Sequence, residues 1–230
     1  MTFRAILLKK ENDQFSAGCS QITMEELRTQ PGNTLIKVDY STLNYKDALA
    51  ITNSAPVVRQ WPMVAGIDCA GTVVESTDIN LKPGQKVILN GWGVGETHWG
   101  ALAEYAYVPS QWLIEQPEQI TSWQAMALGT AGYTAALCVL KIIASGIKPT
   151  DGKVLVSGAT GGVGSVAVVL LKKMGFEVTA STGKTSEETY LKKLGATEII
   201  DRNTLSAPGK PLQKELWAAA VDTVAADSVK

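Results

Sequence analysis

The segment Gly158–Gly164, GATGGVG, most constrains what this chain can fold into. It follows the short apolar run Lys153–Ser157 (KVLVS), which reads as a buried strand. It precedes Val163–Met174, which reads as a helix with Gly175 just past its end. Gly162-Val163-Gly164-Ser165-Val166-Ala167 fits the glycine pattern of a strand–loop–helix turn that cradles a pyrophosphate. In that pattern Gly162 permits the tight turn and Gly164 admits a close approach of backbone to phosphate. Ala167 is small enough for helix to pack on strand. The N–H groups around Thr160, Gly161, Gly162 and Val163 would then face the anion, aided by the helix dipole.

The choice of dinucleotide is made at the end of the next strand, Glu177–Ala180. An NAD site places Asp or Glu there to hold the ribose 2′-hydroxyl. This chain reads Ser181-Thr182-Gly183-Lys184, hydroxyls and a cation with no carboxylate, which suits a 2′-phosphate and therefore NADP(H). Arg202, after a third strand at Glu198–Ile200, is a second cation for the same end of the ligand. The bland alternatives are an exposed loop lysine and a surface arginine.

The chain changes character along its length. Residues up to about 120 carry short alternating strands: Ala5–Leu8, Thr34–Tyr40, Gly71–Glu75, Lys86–Leu89 and Ala103–Val108, with turns such as Lys82-Pro83-Gly84. They predict a small β-rich, barrel-like domain over residues 1–120. Residues 121–230 predict an NADP-binding doubly wound parallel domain of α/β class. Ser122–Ser145 reads as two helices broken near Gly129-Thr130-Ala131-Gly132. Thr185–Glu188 carries a capping-box pattern that opens a helix ending at Leu194. Ala218–Val224 is a fourth strand. The full doubly wound fold has six, so the reading expects a Rossmann domain truncated after its fourth strand and little activity from a monomer. Residues 225–230 (AADSVK) do not continue the expected pattern.

Composition excludes several classes of function. The net charge of −1, without basic runs, argues against nucleic acid as a partner. No run of ~18–20 apolar residues is evident, and the N-terminus is not a signal peptide, so neither membrane nor secretion is expected and a cytoplasmic location follows. Three cysteines without CxxC spacing and one histidine, His98, make a zinc site improbable.

Several segments together resemble the medium-chain dehydrogenase/reductase superfamily. They are GATGGVGSVAV, LGTAGYTA (Leu128–Ala135), KPGQKV (Lys82–Val87) and LGATEIIDR (Leu194–Arg202). LNYKDALA (Leu43–Ala50) and LNGWGVGETHWGAL (Leu89–Leu102) resemble its quinone-oxidoreductase-like branch, which includes the bacterial acrylyl-CoA reductases. The resemblance implies a GroES-like catalytic domain before the Rossmann domain, an active site in the cleft they form, and a homodimer in complete relatives. It also implies no metal. Tyr45 or a neighbour stands where the zinc-dependent members have a cysteine, and Gly66-Ile67-Asp68 stands for Gly-His-Glu. Isoleucine cannot ligate zinc.

Without a Lewis acid, the implied chemistry is hydride transfer from NADPH to the activated double bond of a short enoyl-CoA, or to a quinone, followed by protonation. The resemblance places Tyr45 beside the nicotinamide as hydrogen-bond donor and acid, with Asp47 and Asp68 as the polar groups orienting it. Thr130 and Gly132 line the cofactor channel. Plain alternatives are a packing role for Tyr45 and a helix-start role for Asp47. An unpaired carboxylate in apolar GIDCAG is too costly to be idle. A catalytically incompetent NADP-binding fragment is the reading from another class.

Overall fold

The computed structural model describes residues 1–206 and 215–225, and it divides into two compact units, Met1–Thr130 and a second from Ala131 onward. The last five residues of the AADSVK ending, 226–230, lie outside the described residues.

The first unit is built from two antiparallel sheets. Strand β1 (Thr2–Glu11) pairs along its whole length with β2 (Gln14–Thr23), and β4 (Met63–Val64) adds to its other edge. The connection is a two-residue turn, with Asn12 and Asp13 both at positive φ (48° and 62°), the geometry that matches strand twist in a tight hairpin. The sequence reading saw only Ala5–Leu8 of this hairpin. β2 (QFSAGCSQIT) lies mostly in solvent and lacks the alternation that marks a half-buried strand.

The second sheet has the order β7 (Tyr105–Val108), β3 (Thr34–Ser41), β5 (Asp68–Ser76), β6 (Lys86–Asn90), β8 (Leu113–Glu115). Its central strand, β5, carries Cys69 and Val73 into the interior beside Ile36, Leu89 and Val108, and Ala70 into a separate cluster with Ile88, Ala125 and Met126. A second cluster, with Phe3, Leu8, Met63 and Trp99, fills the space by the β1–β2 hairpin. The short helix α1 (Met24–Leu27) closes that hairpin with a reciprocal Thr23–Glu26 cap. Helix α2 (Tyr45–Ile51) sits between β3 and β4 in the chain.

Helix α3 (Ser122–Ala144) straddles the boundary of the two units. Its backbone leaves helical geometry at Gly129 (φ 50°, ψ −160°), so the expected break falls at the start of the Gly129–Gly132 segment. The segment also corrects the reading that no run is apolar enough for a membrane. By length and composition this helix passes that test, with mean hydropathy 1.6 over an 18-residue window. The kink leaves Thr130–Ala144 as its longest continuous stretch, 15 residues counted from those bounds, which is short of the ~20 needed to span. Ala135, Val139 and Ile142 on that stretch are buried in the core of the second unit.

The second unit is a four-stranded parallel sheet, among the described residues, in the order β11 (Glu198–Asp201), β10 (Val178–Thr182), β9 (Val154–Val156), β12 (Ala219–Val221). In chain order this is 3-2-1-4, the first four positions of the doubly wound sheet. Helices α4 (Gly162–Lys173) and α5 (Glu188–Leu194) provide the crossovers on either side of β10. Val154, Val156, Val178 and Ala180 are fully enclosed, as strands covered on both faces must be. The capping-box expectation at Thr185–Glu188 is corrected. Residues Thr185–Glu187 form a 3-10 turn, α5 begins at Glu188, and its N-cap Glu187 makes no side-chain cap hydrogen bond; the Thr185 side chain lies outside what is described. The fourth strand is shorter than read, Ala219–Val221, because the chain bends away after Asp222.

Leu171 on α4 has no solvent exposure and packs in the cluster shared by β9, β10 and α5. Leu171→Ala is therefore expected to destabilise the second unit by about 2–5 kcal/mol. Amide hydrogen exchange checks this. Protection is lost in β9 and β10, while β3 and β5 in the first unit keep theirs.

Candidate functional site

The glycine loop of the second unit has the expected place, between β9 and α4, but its glycines divide the work differently from the reading above. The tight turn is made at Gly158, at φ +55°, where a Cβ would lie 2.4 Å from Thr223 Oγ1. Gly162 has become the first helical residue. A Cβ on Gly164 would meet the Gly158 carbonyl oxygen at 2.4 Å and Ala159 Cα at 2.8 Å. Its lack of a side chain thus lets the helix start fold back on the loop's own backbone. Gly161 is the N-cap, in extended conformation, so the first N–H groups of α4 leave the loop without a side-chain cap. Thr160 is half-buried and its hydroxyl lies 3.4 Å from that of Thr182, linking the loop to the end of β10.

The end of β10 and the end of β11 converge. Arg202 N–H donates to the Thr182 carbonyl at 3.1 Å. The Arg202 side chain lies across Gly183, where a Cβ would meet its Cδ and Nε at 2.8 Å and Cζ at 3.0 Å. A side chain at this position would displace that guanidinium. Lys184 is exposed and its N–H donates to Thr182 Oγ1 at 3.0 Å. Ser181 is fully buried, and its Oγ has no hydrogen-bond partner among the described residues. The structure therefore brings Thr182, Gly183, Lys184 and Arg202 together, with Ser181 beneath them. The arrangement presents two cations, with no carboxylate on Ser181–Lys184.

The first unit holds a separate polar cluster around Asp68, the first residue of β5. Asp68 is inaccessible to solvent. Its Oδ2 accepts three hydrogen bonds, from Thr130 N–H (2.8 Å), Thr130 Oγ1–H (2.8 Å) and Asn44 Nδ2–H (3.1 Å). Gly129 makes this possible, since a Cβ there would stand 3.2 Å from the same oxygen. Asn90 Nδ2–H donates to Thr130 Oγ1 at 3.3 Å, and Ser41 Oγ–H to the Asp68 carbonyl at 2.8 Å. Asn44 is the N-cap residue of α2, and its backbone N–H donates to Asp47 Oδ2 at 2.8 Å. Asp47 is as buried as Asp68, and each has an Oδ1 without a hydrogen-bond partner among the described residues.

Tyr45 begins α2 and points outward, 82% exposed. The three residues expected from sequence thus share one locus, but in two settings: a solvent-facing phenol above two enclosed carboxylates. Asn44 was not singled out from sequence. Its signal is its position, an Asn one residue before a helix that carries Asp at its third position. His98 is buried, with Nδ1 3.0 Å from the Trp99 carbonyl, Nε2 2.8 Å from that of Pro31, and its ring edge-on to Trp112. Both nitrogens are engaged in holding the 90–100 loop. Ile67 stands in the core, where the zinc-dependent pattern has its histidine.

Burial pushes the Asp47 carboxyl above its ordinary value, and the neighbouring Asp68 adds to the rise. The hydrogen bonds from Asn44 oppose it. A carboxyl whose folded-state value is raised favours folding while protonated, and that contribution is lost as pH rises through the raised value. Asp47→Asn is expected to remove this loss. Urea unfolding from pH 4 to pH 8 should show a flatter profile for the variant, with stability at pH 7 equal to or above that of the parent.

Comparison with known proteins places these features. Residues 30–118 match the alcohol dehydrogenase GroES-like domain. The chain is 47% identical over 221 residues to the Escherichia coli protein named probable acrylyl-CoA reductase AcuI, covering 96% of this chain and 67% of that one. It is 44% identical over 223 residues to Bacillus subtilis YhfP, which carries a quinone oxidoreductase name, again spanning 67% of the relative. The yhdH oxidoreductase of Salmonella enterica, crystallised with NADP, superimposes with a TM-score of 0.94 at 46% identity, over 100% of this chain and 69% of that one. Bacillus subtilis YhfP, crystallised with NAD, superimposes at 0.93 with 42% identity, over 100% and 69%. The chain spans about two thirds of the length of these relatives. With a GroES-like unit preceding a parallel dinucleotide-type sheet, it belongs to the quinone-oxidoreductase-like branch of the medium-chain dehydrogenase/reductase superfamily, the branch that holds the acrylyl-CoA reductases.

Proposed function

We propose that this chain is an NADPH-dependent oxidoreductase that reduces the activated double bond of a short enoyl-CoA, of the acryloyl-CoA kind, without zinc. The observation that carries the reading is the guanidinium of Arg202 laid across Gly183 beside Lys184, where an NAD site keeps a carboxylate. That donor set fits a 2′-phosphate in charge and in hydrogen-bonding capacity. The uncapped start of α4, at Thr160, Gly161, Gly162 and Val163, fits the pyrophosphate. Bound there, NADPH supplies the hydride.

The remaining work falls to residues of the first unit. Tyr45 holds an exposed hydroxyl at the head of α2 and serves as hydrogen-bond donor and proton source for the reduced substrate. Asp68 acts as a positioning residue: through Asn44 and Thr130 it fixes the start of α2 and the chain after Gly129. Asp47 anchors the same start from its third position. Thr130 and Gly132 belong to the cofactor channel in this reading. The functional division assigns residues 1–120 to the GroES-like catalytic part and residues 121–230 to the NADP-binding part. In this reading the protein works in the cytoplasm on a small-molecule substrate, with neither nucleic acid nor membrane as partner, and complete relatives are homodimers. Reduction of a quinone is the second reading, favoured by the quinone oxidoreductase name of Bacillus subtilis YhfP. A catalytically incompetent NADP-binding protein is the third.

A screen of NADPH oxidation over acryloyl-CoA, crotonyl-CoA and quinones separates the three readings. Calorimetry is expected to give tighter binding of NADPH than of NADH. Arg202→Gln should weaken NADPH by about tenfold or more, the worth of one charged hydrogen bond, and leave NADH nearly unchanged. Equal affinities in the parent chain would remove the NADPH reading. Tyr45→Phe is expected to lower kcat by about 10²–10⁴-fold with little change in NADPH affinity. An unchanged kcat would leave Tyr45 without a chemical role.

A further inference from the structure

The chain has four arginines, and the structure gives them unequal work. Arg4 is paired with Glu104 at 2.9 Å and Arg28 with Glu75. Arg202 lies across Gly183. Arg59 is exposed, and among the described residues its guanidinium has neither a carboxylate nor a hydrogen-bond partner. Its backbone is nonetheless pinned, because Arg59 N–H donates to the Glu96 carbonyl at 2.8 Å. The side chain of the same Glu96 takes Lys46 Nζ at 2.8 Å. Lys46 is the residue after Tyr45 on α2. Glu96 itself is fixed in its loop by N–H donation to the Gly93 carbonyl at 3.0 Å. One residue thus holds two cationic segments together, next in sequence to the exposed phenol. Its carboxylate is taken by Lys46, so the Arg59 guanidinium beside this segment has no acidic partner among the described residues.

An exposed guanidinium without a carboxylate partner is suited to a fork-shaped contact with a phosphate. Resting on the proposed function, we infer that Arg59 is a specificity residue for the thioester substrate, binding a phosphate of its coenzyme A portion. Glu96 sets its position and Lys46 stands at its side. A quinone carries no phosphate and gains nothing from Arg59, so this residue discriminates between the two substrate classes that the family's names suggest.

The test compares coenzyme A with pantetheine, which has the same thiol arm and no phosphate, by calorimetry on the full chain. The parent is expected to bind coenzyme A more tightly than pantetheine. Arg59→Gln should weaken coenzyme A by about tenfold or more and leave pantetheine and NADPH within twofold. Arg59→Lys should recover part of the loss, since a point charge replaces the fork only in part. Unchanged NADPH affinity and an unchanged melting temperature show that the variant is folded. Three results overturn the inference: no measurable binding of coenzyme A to the parent, no effect of Arg59→Gln, or an equal loss for coenzyme A and pantetheine. Turnover of acryloyl-CoA tests the proposed function separately. An Arg59-dependent affinity for coenzyme A without turnover retains the binding site and removes the reductase reading.

Discussion

A single buried oxygen, Asp68 Oδ2, ties together the parts of the first unit that carry chemistry. An ionised carboxylate shut away from water is too costly to keep unless donors surround it. Here three donors come from two places in the chain: the side chain of Asn44 before α2, and the N–H and hydroxyl of Thr130 beyond the kink in α3. Satisfying Asp68 therefore fixes where α2 starts and where α3 breaks. The break at Gly129 reads as the price of bringing the Thr130 N–H onto that oxygen, at a position where a Cβ would stand 3.2 Å away. Tyr45 inherits its position from the same contacts, because it is the first residue of the helix that Asn44 caps.

The phosphate loop was the most legible part of the sequence because its physics is local. A strand, a run of glycines and a helix lie within about twenty residues, and the apolar period changes where the loop stands. Even so, the roles of individual glycines were not legible. Gly158 makes the turn and Gly164 avoids its carbonyl, a fact set by how the loop closes on itself. The fit of Arg202 to Gly183 is of the same kind. Both residues could be named from sequence as candidates, but the contact depends on β10 and β11 being parallel neighbours.

What was not legible has a common cause. Strand β2 draws its conformation from pairing with β1, not from a buried face, so no alternation announces it. Asn44 and Thr130 are 86 positions apart, by subtraction of their numbers, and acquire meaning only through the carboxylate they share. Composition alone does not place α3. Its apolar content is that of a spanning segment, and the kink and the buried Ala135, Val139 and Ile142 show that it serves the core of the second unit. Periodicity reports a face buried against something, and it says nothing of what that something is.

The contrast between Tyr45 and the two aspartates follows from what each environment permits. The role proposed for Tyr45 requires a reachable side chain, and at 82% exposure the phenol is. A reachable side chain is a mobile one unless its backbone is held. The holding is done from below, where water cannot compete for Asp47 and Asp68 and each hydrogen bond is correspondingly stronger. Burial also makes Asp47 harder to ionise, with Asp68 adding to the effect. The cluster is thus rigid because it is dry, and the residue it supports can be exposed because the cluster is rigid. A phenol on the buried side would forfeit access, and carboxylates on the exposed side would forfeit the strength of their hydrogen bonds.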